Sequence, residues 1–348
     1  MRAKRLDTHP NHPLVQYIQQ EKYLSILITI LRLSSLMPSP RKSLICLQNT
    51  PYYHCVSRCV RRAFLCGDDH YTGKSYEHRR QWVEDRLIAL TNVFSIDVCA
   101  YAVMSNHTHL VLHVDRNEAL SWTTEEVLRR WHSLHKGTVL TQQYMQPTQR
   151  ASLTEAQITT IISTANVYRQ RLYDISWFMR LLNEFIAREA NKEDECTGRF
   201  WEGRFKSQAL LDEAALAACM AYVDLNPLRA GISKAPEKSE FTSIKHRIEA
   251  AQFGLQPAFL KPLVGSSSHG LKGLPFNLAD YLTLVDETAR QISAGKSGYV
   301  LHNVSPILQR TGLSQTNWNS MVVGIEAIFS NSIGLSIAQR KLALSKTG

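Results

Sequence analysis

The chain has 348 residues, 44% of them hydrophobic and 20% charged, enough for one large domain or two modest ones with real cores. Forty Lys and Arg against thirty Asp and Glu leave a formal charge of +10, which favours a polyanionic partner: nucleic acid or an anionic membrane surface. Seven cysteines with no C-x-x-C pair exclude a zinc ribbon and a regular disulfide framework, and fit free thiols in a reducing cytoplasm.

Tyr23 to Leu36 reads YLSILITILRLSSL, an apolar stretch broken by Arg32. A membrane helix needs about 20 apolar residues, so no span is expected. Met37 opens a stretch that looks like a natural beginning, and residues 1–36 are expected to lie outside the folded domain. Tyr52 to Val60 (YYHCVSRCV) alternates polar with β-branched and aromatic residues, which predicts a strand. Tyr76 to Phe94 places Trp82, Leu87, Leu90 and Phe94 among charges, which predicts an amphipathic helix. Two strands follow, Ile96 to Met104 and His107 to Val114, parted by Ser105-Asn106. A strand, a helix and two adjacent strands form the first half of a β-α-β-β-α-β unit of the ferredoxin-like kind.

Residues 116–172 read as an insertion with a helix over Trp122–His135 and a polar Gln- and Thr-rich stretch over Thr138–Thr154. Ile175 to Asn191 predicts a strong amphipathic helix, and the end of Thr197–Asp212 the last strand. A helix is expected from Glu213 to about Asn226, stopped at Pro227. Residues 233–277 are rich in Pro, Ser, Gly and Lys and read as a linker with one short helix near His246. Helical periodicity returns over 278–348, for instance LADYLTLVDETARQI. The expected class is α+β: a domain over 37–232 interrupted at 116–172, then a linker and a C-terminal, mostly α-helical region.

Three segments carry chemistry. In the strand opening N-H-T-H, His107 and His109 face one way and Thr108 the other, so two imidazoles share a face and suit a divalent metal. Histidines bonded to nearby backbone are the plain alternative. His113 has the same parity but lies about 13 Å further along, at roughly 3.3 Å per residue, too far for a third ligand. In AYVDLNPLRAG, Tyr222 and Asn226 share a helix face: a nucleophile with a polar partner, or a core-edge tyrosine above an Asn-Pro stop. In GRFWEGRFKS, Arg199, Arg204 and Lys206 alternate with Phe200, Trp201 and Phe205. Basic groups can hold phosphates there while aromatic faces stack on unpaired bases. An amphipathic strand with snorkelling arginines is the plain alternative.

The order S-N-H-x-H-L, then GRFWEGRF, then Y-x-x-x-N-P-x-R-A-G resembles the single-tyrosine HUH transposases. The branch associated with repetitive extragenic palindromes in bacterial genomes fits best, and the resemblance covers about Tyr52 to Gly231 and includes YYHCVSR. It implies a ferredoxin-like HUH nuclease domain. It further implies metal ligands at His107, His109 and Asn226 for Mg²⁺ or Mn²⁺, a catalytic Tyr222, and DNA contacts from Arg199, Phe200, Trp201, Arg204, Phe205, Lys206 and Arg229. The implied partner is single-stranded DNA with hairpin or palindromic ends, with no membrane partner and either a monomer or a homodimer. The implied setting is the cytoplasm, at the nucleoid. Thr108 replaces the hydrophobic residue usual between the histidines, and the gap from His109 to Tyr222 is larger than in compact relatives. The rival readings are a hairpin-binding protein that no longer cuts and, further off, a metal-dependent hydrolase of the H-x-H type.

Overall fold

The computed structural model describes residues 45–60, 64–69, 72–265, 272–293, 305–328 and 332–334. The chain divides into two units, Met1–Ile45 and Cys46–Gly348. The expectation about residues 1–36 falls outside the described residues.

The second unit is of mixed α+β class, with a five-stranded sheet and thirteen α-helices among its described residues. The strands are β1 (Tyr52–Arg58), β2 (Ile96–Val103), β3 (His107–Val114), β4 (Lys206–Leu210) and β5 (Ser332–Ile333), in the order β2-β3-β1-β4-β5. β1 runs antiparallel to β3 and β4, β2 antiparallel to β3, and β5 parallel to β4. Across β1 and β3, Tyr52 faces His113, His54 faces Val111, Val56 faces His109 and Arg58 faces His107. Since side chains alternate, these eight share one face of the sheet, and Ser57 and Thr108 lie on the other.

Helix α1 (Arg79–Thr91) buries Val83, Leu87 and Leu90, one face at helical spacing. Tyr101, which points to the Ser57 side of the sheet, donates its hydroxyl to Glu84 of α1. Four helices α2 (Arg116–Ser121), α3 (Thr124–His132), α4 (Val139–Tyr144) and α5 (Pro147–Arg150) lead to α6 (Glu155–Leu172), so the segment read as an insertion is mostly helical. Thr123, Thr138 and Thr154 cap α3, α4 and α6 by accepting from the backbone N–H three residues on. Trp131 of α3 stacks on Tyr168 of α6, with centroids 4.4 Å apart. Helix α7 (Ile175–Glu193) turns Phe178, Leu182 and Ile186 inward on the α1 side, and its Asn183 donates to Ser57.

Helix α8 (Glu213–Asp224) lies on the opposite face. Ala214 to Asp224 are all buried, which fits a helix covered on every side, and its alanines let the sheet approach closely. It packs on Ala100, Ala102 and Val111, and on its far side against Tyr281, Trp318 and Ile325. The expected stop at Pro227 appears as a break at Leu225, after which α9 (Asn226–Arg229) carries Pro227 in its first turn.

The segment 233–277, described except over residues 266–271, has the short helix expected near His246. That helix is α10 (Ser243–Ala251), and the segment runs beside the outer edge of β2, where Val103 N–H donates to Phe241 and Lys261 N–H to Val98. Edge strands present unpaired backbone groups, and this segment satisfies them on β2. The C-terminal region is helical over α11 (Leu278–Ser293), α12 (Pro306–Thr311) and α13 (Gln315–Ile328), but it shares the core of α8 and adds β5 to the sheet. Among the described residues no helix is long and apolar enough to cross a membrane.

Candidate functional site

The site sits where the His107 end of β3 meets the end of α8. On the sheet face turned to α8, three histidines stand together. His109 is 1% exposed and His54 fully buried, so each imidazole is enclosed while β1–β3 pairing sets their rows. The rings of His107 and His109 meet at 77° with centroids 4.7 Å apart, close enough for one ion to touch both. Tyr222 stands edge-on to both buried rings, 5.7 Å from His109 and 6.0 Å from His54. The guanidinium of Arg229 lies 4.0 Å over the Tyr222 ring and donates to the Val322 and Tyr222 carbonyls.

Burial pushes all three histidines down. His107 falls to about 4, through burial first and then Arg58, and His109 is also held well below its usual value, through burial and then the neighbouring His54. His54 is also lowered by burial, against the hydrogen bond with Gln208 that raises it. The three rings are therefore neutral at physiological pH, the state in which a nitrogen lone pair can ligate. Burial pushes the Tyr222 phenol up to about 12, while Arg229 pulls it the other way.

His109 supplies the test of whether a metal fits. Its Nε2 is buried and has no hydrogen-bond partner among the described residues. A buried imidazole nitrogen left without a partner costs free energy unless something else engages it, and a divalent cation is the matching partner. A second donor set shares His109: ligand atoms of His54, His109 and Glu326 lie within 4.8 Å of one another.

The predicted site residues divide into two groups. His107, His109, Tyr222 and Arg229 come together, and Asn226 is buried one turn beyond Tyr222, where it opens α9. His113 is instead held by Asp97, at 2.9 Å, and lies against Tyr52. In the basic-aromatic segment Phe200 and Phe205 are buried, and Trp201 donates its indole N–H to the Asn183 carbonyl. As placed, the two phenylalanines offer no face to a base. Arg199, Arg204 and Lys206 are exposed, and Lys206 lies in the row Lys206–Val56–His109 that crosses the sheet.

Sequence reasoning missed three residues. His54 shares the parity of Val56, and only the β1–β3 register reveals that it neighbours His109. Arg58, exposed and directly across from His107, ends the same strand. Glu326 comes from α13 and carries no local signal.

No protein-family model matches the chain, and no match is found among curated proteins. Among solved structures the chain is similar to a REP-associated tyrosine transposase bound to a REP hairpin, at 14% identity and a TM-score of 0.36, over 68% of this chain and 98% of that one. A likeness that distant assigns neither fold nor function, and the reading of the site rests on its own residues.

Proposed function

We propose that the protein is a DNA strand transferase that cuts and rejoins single-stranded DNA through Tyr222, at hairpin or palindromic ends. The observation that carries the reading is the placement of Tyr222 edge-on to His109 and His54, with Arg229 over its ring. Of thirteen tyrosines, it is the one that the resemblance singles out, and its ring packs on this histidine cluster. The strand order β2-β3-β1-β4, with α1 and α7 on one face, supports a ferredoxin-like core for it.

The chemistry follows from the groups present. The Tyr222 oxygen bonds to the scissile phosphorus and the phenol gives up its proton. The bond from phosphorus to the 3′ oxygen breaks, and that oxygen leaves with a proton as a free 3′-hydroxyl. The DNA stays on the protein as a 5′-phosphotyrosine, so the bond energy is kept and a second 3′-hydroxyl can reverse the step. His107 and His109, with Asn226, would hold Mg²⁺ or Mn²⁺, which supplies charge stabilisation at the phosphate. Arg229 opposes the rise in the Tyr222 pKa and so lowers the cost of ionising the nucleophile. Arg58 and Lys206, exposed on the same sheet face, would hold flanking phosphates.

The test is a 3′-labelled single-stranded hairpin incubated with the protein and Mn²⁺, then run under denaturing conditions. A protein-linked label that disappears in Tyr222→Phe is expected. Tight binding with no adduct would replace this reading with that of a hairpin-binding protein.

A further inference from the structure

We infer that a chain of hydrogen bonds, Gln208 to His54 to His109, completed by Glu326 from the C-terminal region, fixes which nitrogen of His109 faces the ligand. His54 and Glu326 are thus positioning residues for the metal site. The inference rests on the metal-binding part of the proposed function and not on strand transfer.

The geometry of the two buried rings carries the argument. His54 Nε2 and His109 Nδ1 are 3.0 Å apart, while the ring centroids are 5.3 Å apart and the planes differ by 6°. The difference between the two distances is taken up by one imidazole radius at each end. The nitrogens therefore lie on the line between the centroids, and each ring points its nitrogen straight at the other. That is an in-plane N–H···N hydrogen bond. Two ligands of one ion would aim their lone pairs at a third point away from that line, so this pair does not share a metal.

Glu326 decides who donates. Its Oε1 lies 3.2 Å from the same His109 Nδ1. A carboxylate beside an unprotonated ring nitrogen would set lone pair against lone pair, so the proton sits on His109 Nδ1 and is shared between Glu326 and His54. His54 Nε2 is then the acceptor, and its Nδ1–H donates to Gln208 Oε1 at 2.9 Å. Every ring nitrogen is engaged except His109 Nε2, which is left with a lone pair, buried and unpartnered, on the side of the ring away from Glu326. A ligating histidine that passes its other N–H to a carboxylate is held in one tautomer and one orientation. Free imidazole side chains have no such constraint. The C-terminal helix α13 thereby becomes part of the site, anchored there by the Arg229 bond to Val322, four residues before Glu326 and across the kink at Gly324.

The experiment is a long-range ¹⁵N–¹H spectrum of the full-length, metal-free protein labelled on histidine, with His109 assigned through His109→Asn. The expected result is protonated Nδ1 and unprotonated Nε2 at His109. Titration with Mn²⁺ should broaden His109 Nε2 and His107 ahead of His54. Glu326→Leu, at a position about one-third exposed, should weaken Mn²⁺ binding about 10-fold. Glu326→Gln keeps an acceptor oxygen and should recover most of that loss. A proton on Nε2 of His109, first broadening at His54, or unchanged Mn²⁺ affinity in Glu326→Leu would each overturn the inference. A correct tautomer in a protein that forms no DNA adduct would remove the strand-transfer reading and leave this one standing.

Discussion

His109 and His113 lie on the same strand and the same face, four residues apart, yet their surroundings differ sharply. His113 meets Asp97, which also takes an ion pair from Lys261 at 2.7 Å, so its imidazole is tied into a structural charge cluster. His109 meets other imidazoles and a tyrosine ring, and burial first, then His54 and His107, and last the cations Arg229 and Arg58 depress its pKa. A carboxylate sits at Nδ1 of both histidines, Asp97 for His113 and Glu326 for His109. The difference lies around the rest of the ring, where the Nε2 of His109 is buried without a hydrogen-bond partner beside His107 and Tyr222. Residue type and strand parity are the same at both positions, and the neighbours decide.

The largest expected break in this comparison is His109→Ala against His113→Ala. The first should reduce the DNA adduct by about 10³-fold or more, and the second by less than about 2-fold. Equal losses would mean that the two ends of β3 do not differ in function. His107→Ala should lie between them, with Mn²⁺ affinity down about 10–100-fold by calorimetry and the fold retained by circular dichroism. Lys206→Ala sharpens the reading of the sheet face. Binding of a single-stranded oligonucleotide should weaken a few-fold, and the slope of log K against log salt should shrink by about 0.7. An unchanged slope would take Lys206 out of the phosphate contacts.

The smallest effect concerns stability at the other end of the strand. Burial raises the Asp97 pKa, but the hydrogen bond with His113 and the charge of Lys261 outweigh it and hold the carboxyl at about 2. The folded pKa lies below the ordinary 3.8, so the stabilisation is present above pH 4 and is lost as pH falls toward 2. Asp97 is partly exposed, and screening limits its worth. Asp97→Asn should cost roughly 1 kcal/mol at pH 7 by denaturant unfolding, and the deficit should close at pH 2 to 3. A deficit that persists at low pH would mean that packing, not charge, is what the residue supplies.

How much of this was legible depends on how local each signal is. β3 was read with its observed bounds because alternation and the flanking Ser-Asn are local, and the parity of His107, His109 and His113 followed directly. Helix α6 went unread although Ile161, Ala165, Tyr168 and Leu172 mark one face, because threonine and glutamine surround them. His54 needed the pairing of two strands, and parity within one strand says nothing about which row of the next it meets. Glu326 needed the packing of α13 on α8, a contact between distant parts of the chain that periodicity does not encode. In the stretch after residue 233 the short helix near His246 was legible, but composition marks only irregular backbone and does not say that Phe241 and Lys261 bond to the edge of β2.

The most direct test of the central claim is to digest the covalent product and find the linked residue by mass spectrometry. The protein would be incubated with a single-stranded hairpin and Mn²⁺, the DNA trimmed by nuclease, and the peptides sequenced. The account predicts a nucleotide remnant on Tyr222 through its 5′ phosphate. A remnant on any other tyrosine, or a cleaved strand with no peptide attached, would contradict it.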